Sequence, residues 1–204
     1  MNDKRDRRRE ELKARLAEAA TERIREFGLQ ELRARDVTRD AGCALGALYN
    51  AYRDMDELVL AVNTATLRRL GATLHDAANS GIDPEARLIA LGVGYLHFAQ
   101  ENMNLWSAIF EHRMQGGRNI PDWYNEEQKV LFAYVGDPLR ALLPNMAAEA
   151  LEIRVRTVFA AVHGVVQIGL REKIMGLSAR MVESEVEELI RLMVRGALAG
   201  EQEG

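Results

Sequence analysis

A chain of 204 residues with 48% apolar content can bury a sizeable core, which excludes a disordered polypeptide. With 6% aromatics, four prolines and a single cysteine, Cys43, it offers no internal disulfide framework or cysteine-based zinc cluster, and the composition favours helices built from Ala, Leu, Glu and Arg over an all-β sandwich. The formal charge of −4 is unevenly spread: residues 1–53 hold 13 Lys/Arg against 10 Asp/Glu, and the remainder 14 against 21, so a cationic front of +3 precedes an acidic body of −7.

The basic start MNDKRDRRREELK has no apolar stretch behind it, and the longest uncharged run, Thr157 to Leu170, is shorter than the roughly 20 residues that span a bilayer. A cytoplasmic chain with no membrane partner is the expectation. Leu12, Leu16, Ala20, Ile24 and Phe27 share one helical stripe that Gly28 ends. A short helix over 34–41, a turn at Gly42 and a second short helix from Ala44 to about Tyr49 follow. A long helix runs from near Asp54 to Ala78. Asp83 caps the next helix with Pro84 in its first position, and a break at Glu101-Asn102 separates it from a shorter one carrying Trp106, Ile109 and Phe110. GGRNIPDW reads as a loop. The spacing predicts a helix from Asp122 to Leu143, stopped or kinked at Pro138; Asn145 then caps one running to Lys173, and Ser178 caps the last, to Gly200. The fold class is all-α, with about nine helices: an N-terminal three-helix helix-turn-helix domain over residues 1–54, joined by a long helix to a helical ligand-binding and dimerisation domain over 55–204.

A helix-turn-helix needs aliphatic residues between its helices and a glycine at the turn. Val37, Ala41 and Leu48 with Gly42 meet that need, and Ala44-Leu45-Gly46-Ala47 open the second helix with side chains too short to block a groove. The stretch from the first helix through Leu58 resembles the DNA-binding domain of TetR/AcrR-type transcriptional regulators, in which a helix ending in Phe-Gly leads to D-[VI]-A-x-x-A-G-V-S-x-G-[TA]-[LI]-Y-x-[HY]-F-x-[SD]-K-x-x-L. Phe27-Gly28, Asp36-Val37, Ala41-Gly42, Gly46-Ala47-Leu48-Tyr49, Tyr52 and Leu58 fall in register with it. Ala44 and Met55 stand where family members often carry a phosphate-binding serine and a lysine, Cys43 replaces the usual valine, and Thr38 the usual alanine.

The resemblance implies a ligand-responsive homodimeric regulator, a repressor that binds a palindromic double-stranded operator and is released by a small apolar or aromatic effector. The DNA-contacting set is Arg35, Thr38, Arg39, Ala44, Leu45, Gly46, Ala47, Tyr49, Asn50 and Tyr52, helped by the basic N-terminal arm. Arg35 and Arg39 share a face that either tracks the DNA backbone or pairs with Asp36 and Asp40. Two apolar stripes, with Leu151, Val155, Val158 and Val162 on one helix and Val186, Leu189 and Met193 on the last, would build a four-helix dimer bundle.

His97, Trp106, Phe110, Trp123, Tyr124 and His163 are the candidate effector-binding residues, as aromatic walls with polar tips suit an apolar pocket. AVHGVVQIGL also resembles the effector domain of a TetR/AcrR subgroup named for a Trp-His-Gly motif, with Val162 in place of the tryptophan. His97 and Glu101 have a metal-ligand spacing, but a site needs a third donor, so no metal is expected. A helical enzyme is the rival of another class. It lacks a phosphate-binding glycine loop, HExxH or G-x-S-x-G, so neither catalysis nor a cofactor is expected. A degenerate regulator that keeps the scaffold without reading DNA is the other alternative.

Overall fold

The computed structural model describes residues 2–79, 83–171 and 176–202. Among the described residues the protein is helical and has no strand. Nine α-helices are found among the described residues: α1 (Asn2–Phe27), α2 (Ala34–Asp40), α3 (Leu45–Ala51), α4 (Met55–Ala78), α5 (Pro84–Glu101), α6 (Met103–Glu111), α7 (Asp122–Leu142), α8 (Ala148–Gly169) and α9 (Ala179–Gln202). Two short 3-10 turns lie at Leu29–Glu31 and Gln115–Gly117. No helix of the described residues is long and apolar enough to cross a membrane.

Most boundaries follow local chemistry. Gly28 leaves α1 at φ 80°, and Gly42 makes the α2–α3 turn at φ 65°, a region that costs an L-residue energy. Asp83 Oδ1 accepts the N–H groups of Glu85 and Ala86 ahead of Pro84. Ser178 Oγ accepts the N–H of Met181 at the start of α9. Two expectations are corrected. α7 is not stopped at Pro138 but continues to Leu142: the proline forfeits one backbone hydrogen bond, but Leu139 and Leu143 beside it are 2% and 1% exposed, and that packing holds the chain. Asn145 is not the cap of α8. It lies in a turn closed by Met146 N–H to the Leu143 carbonyl, and Ala147 occupies the cap position. The expected end of that helix, Lys173, lies outside the described residues.

The chain divides into two compact units, Met1–Arg69 with Asn102–Asn125, and Leu70–Glu101 with Glu126–Gly204. In the first, Leu16, Ala20 and Ile24 of α1 meet Val37 of α2, Leu48 of α3 and Leu58 of α4, all fully buried, and Leu105 and Ala108 of α6 join the same core. Asn63 Nδ2 donates to the Ala108 carbonyl within it.

In the second unit, α9 packs against both α5 and α8. Two glycines allow close approach: a Cβ at Gly92 of α5 would lie 2.5 Å from Ile190 Cδ1, and one at Gly169 of α8 would lie 2.8 Å from Val182 Cγ1. The exposed residues of α8 form a separate stripe, in which Ile153 and Ile168 are 61% and 44% exposed.

Candidate nucleic-acid interface and effector core

On α3 the side chains divide by face. Leu48 and Ala51 are buried in the first unit, whereas Leu45, Gly46, Tyr49 and Asn50 are exposed and Ala47 is half-buried. A Cβ at Gly46 would meet nothing within 4 Å, so no packing inside the chain requires the glycine. Ala44 sits at the N-cap with no side-chain cap, consistent with the missing serine. The basic run is part of α1 rather than a separate arm: Arg5, Arg7, Arg8 and Arg9 are exposed on its first turns, with Arg7 Nε 3.5 Å from Glu11.

Three expected DNA contacts have other partners. Tyr52 is 6% exposed, and its hydroxyl donates to the Lys13 carbonyl at 3.0 Å. Burial, then Glu57 and Glu10, push this phenol up to about 12. Thr38 is 3% exposed and donates to the carbonyls of Ala34 and Arg35. Tyr52 and Thr38 therefore serve the packing of the head. Arg39 lies 2.8 Å from Asp36 Oδ1 and 3.1 Å from Asp40 Oδ1, and Asp40 is also held by Arg23 Nε at 2.6 Å. The Arg23 hydrogen bond holds the Asp40 carboxyl below its ordinary range. Arg35 is exposed. Tyr49 is 51% exposed.

The six expected effector residues are divided between the units. In the first, Trp106 is buried with its ring 5.5 Å from that of the exposed Phe110, and the exposed Trp123 stacks edge-on to the buried Tyr124 at 5.9 Å. In the second, His97 is exposed and its Nε2 lies 2.9 Å from Glu183 of α9. His163 is the one that enters a built cluster. Tyr95 Oη lies 2.8 Å from His163 Nδ1, Phe159 stacks on the imidazole at 5.6 Å, and Phe132 meets Phe159 edge-on at 5.4 Å. Burial lowers the His163 pKa, which favours the neutral ring in its pairing with the tyrosine hydroxyl. Phe132, Phe159 and Tyr95 were not singled out from the sequence. Their only signal there is apolar spacing, which any core aromatic shares.

His112 in the first unit has its pKa lowered by burial too, against the opposing pull of Asp56 and Asp54. Both imidazoles take a proton more readily in the unfolded chain, whose histidines titrate near about 6.5. Stability is therefore complete above that value and falls as pH drops through the lowered folded pKa values. Urea midpoints at about pH 7.5 and about pH 5.5 should show the decline, and His163→Asn should reduce it.

A family model described as Tetracyclin repressor-like, C-terminal domain matches residues 88–196, just over half of the chain. The chain belongs to the tetracyclin repressor-like family. As a family member it aligns with the HTH-type transcriptional regulator BetI of Brucella canis at 29% identity over 103 residues, 49% of this chain and 52% of that one. BetI of Brucella suis biovar 1 matches over the same share at 30%. The chain thus spans about half the length of the relatives it matches. Among solved structures, a TetR transcriptional regulator from Rhodococcus sp. RHA1 has a TM-score of 0.64 at 20% identity, covering 89% of this chain and 96% of that one. FadR from Bacillus subtilis in complex with stearoyl-CoA has 0.69 at 13%, covering 87% and 96%. The tetracyclin repressor-like assignment and the solved neighbour agree with the all-α fold that the head's sequence pattern implied.

Proposed function

We propose that the protein reads a palindromic operator as a homodimeric repressor and is released by a small apolar or aromatic effector. The observation that carries DNA reading is the bare face of α3: Leu45, Gly46, Tyr49 and Asn50 are exposed while Leu48 and Ala51 are packed into the core. Tyr49 and Asn50 supply a phosphate and an adenine-edge contact, Arg35 a backbone contact, and the arginines at the start of α1 neutralise further phosphates. Arg39 joins only by exchanging Asp36 and Asp40 for a phosphate.

The effector is assigned to the Tyr95, Phe132, Phe159 and His163 cluster, where aromatic walls surround one polar pair. The long apolar chain of stearoyl-CoA held by the FadR fold supports an apolar occupant. It acts on DNA binding only through different affinities for two arrangements of the chain.

The test is selection of duplexes from a random pool by the whole protein, followed by anisotropy titration. A palindrome should emerge. Tyr49→Ala and Asn50→Ala should each weaken it by about 1–3 kcal/mol with circular dichroism unchanged. Arg7, Arg8 and Arg9→Ala should weaken all duplexes alike and flatten the salt slope. Recovery of no sequence would leave a dimeric helical scaffold that does not read DNA.

A further inference from the structure

The segment after α6, read from sequence as a plain loop, grips the first turn of α4. Asp56 is 3% exposed, and its Oδ2 accepts the Gln115 N–H at 2.9 Å and Arg118 Nη2 at 2.5 Å. Arg118 Nη1 donates to Asp54 Oδ2 at 2.8 Å. The other Asp54 oxygen accepts the Glu57 N–H at 2.9 Å and caps α4, while Glu57 Oε2 accepts the Arg53 N–H at 2.6 Å. One guanidinium thus spans the cap residue and a buried carboxylate two positions on, a two-pronged geometry open to arginine and closed to lysine.

This turn sits three residues beyond the end of α3. Within that link Tyr52 is already tied to α1. Packed through Leu48 and Ala51, α3 is held further at its C-terminal end by Tyr52 on α1 and by the first turn of α4. A second basic group stands behind Arg118. His112 Nε2 is buried, makes no hydrogen bond among the described residues, and lies 3.6 Å from Asp56 Oδ1. A cleft of about 460 Å³, walled by Leu29, Arg33, Met55, Val59 and His112, gives these side chains room to rearrange.

We propose that Arg118 is a positioning residue for DNA reading, which fixes α3 through Asp54 and Asp56, with His112 poised to take its place as Asp56's counter-charge. The proposal rests on the DNA-reading function. Without Arg118, Asp56 is a buried carboxylate left with one backbone donor, and a proton on His112 becomes the available compensation. The charged groups around that imidazole are Asp54 and Asp56 on α4, Glu111 and Arg113 beside it on the chain, and Arg33 across the cleft. In the intact protein Arg118 already neutralises the two aspartates, and burial keeps His112 neutral.

The test uses the whole chain, its selected duplex and a random duplex of equal length. Arg118→Gln should lower affinity for the selected duplex roughly tenfold or more at about pH 8 and leave the random duplex unchanged, because pose matters to base edges and little to phosphate neutralisation. Near pH 5.5 the loss should shrink several-fold as His112 takes up a proton, and adding His112→Asn should abolish that recovery. Arg118→Lys should be intermediate. Asp56→Asn with Arg118→Gln removes the stranded charge, so it should restore thermal stability and still discriminate poorly.

Hydrogen exchange supplies a readout that needs no DNA. Residues 45–57 should exchange faster in Arg118→Gln, and α8 and α9 should not. Unchanged discrimination with unchanged exchange overturns the proposal, as does an equal loss on both duplexes. If the intact protein selects no duplex, the DNA-reading function fails and the positioning role in it fails too, while faster exchange still shows that Arg118 holds α3.

Discussion

Gly169→Leu should cost the second unit about 3 kcal/mol or more of stability, with a matching fall in the urea midpoint. The reason lies in what stands opposite. An added Cβ would lie 2.8 Å and 2.9 Å from the two γ-carbons of Val182 and 3.5 Å from its Cβ. Val182 is 1% exposed, and a β-branched residue on a helix has essentially one rotamer, so it cannot turn aside. Relief must come from separating α8 and α9, which uncovers Val182 and Val186 together. Gly92 offers the contrast. Its virtual Cβ lies closest to Ile190 Cδ1, the tip of a longer side chain that can swing away, and meets Val186 Cγ1 only at 3.1 Å, while alanine within a helix gains up to about 1 kcal/mol over glycine. Gly92→Ala should thus be milder than Gly169→Ala. The reverse order would mean that the α5–α9 contact, not the α8–α9 contact, is the tighter one.

What was readable in the sequence was local. Gly28, Gly42, Asp83-Pro84 and Ser178 act within a turn of where they stand, and each ends or starts a helix as its chemistry requires. The head was legible further because its core positions, Val37, Ala41 and Leu48, lie within a dozen residues of one another. Asn145 misled because a cap residue and a turn residue have the same chemistry, and only the position of the following helix separates them. Tyr52 misled for a different reason: a motif position fixes the residue, not the direction of its side chain, and the Lys13 carbonyl that claims the hydroxyl is 39 residues away. The Arg118 clamp was invisible, since its acidic partners lie more than sixty residues earlier and its own surroundings, Gly116 and Gly117, read as loop. The α8 helix shows the limit of periodicity most clearly. Val155, Val158, Val162 and Val166 are the more hydrophobic stripe, and they are 7% exposed or less inside their own chain. The weaker stripe of Ile153, Thr157, Ala160, Gly164 and Ile168 is the one that faces outward.

That outward stripe relocates the proposed dimer surface and changes which substitutions should break it. Leu151, Val155, Val158, Val162 and Val186 are already buried within the subunit, and only Leu189 and Met193 of the expected set remain half-exposed. The surface proposed for a second copy is Ile153, Ala160 and Gly164 of α8 with Leu192 and Gly196 of α9. Leu192 is 54% exposed, and a Cβ at Gly164 or Gly196 would meet nothing within 4 Å, so a partner helix can come close. In a two-fold interface every residue appears twice. Ala160→Asp with Leu192→Asp therefore places four carboxylates in a surface that excludes water, and each unpaired buried charge costs several kcal/mol, where about 1.4 kcal/mol is tenfold in affinity. A monomer by sedimentation at micromolar concentration is expected, with helical content retained because neither side chain is part of the subunit's own core. Affinity for the selected palindrome should fall to that of a half-site, while random duplexes bind as before. Val158→Asp separates the two surfaces: at 7% exposure it should unfold the second unit instead of dissociating a folded dimer. A dimer that survives Ala160→Asp with Leu192→Asp but is lost on charging another exposed face would place the subunit contact away from α8 and α9.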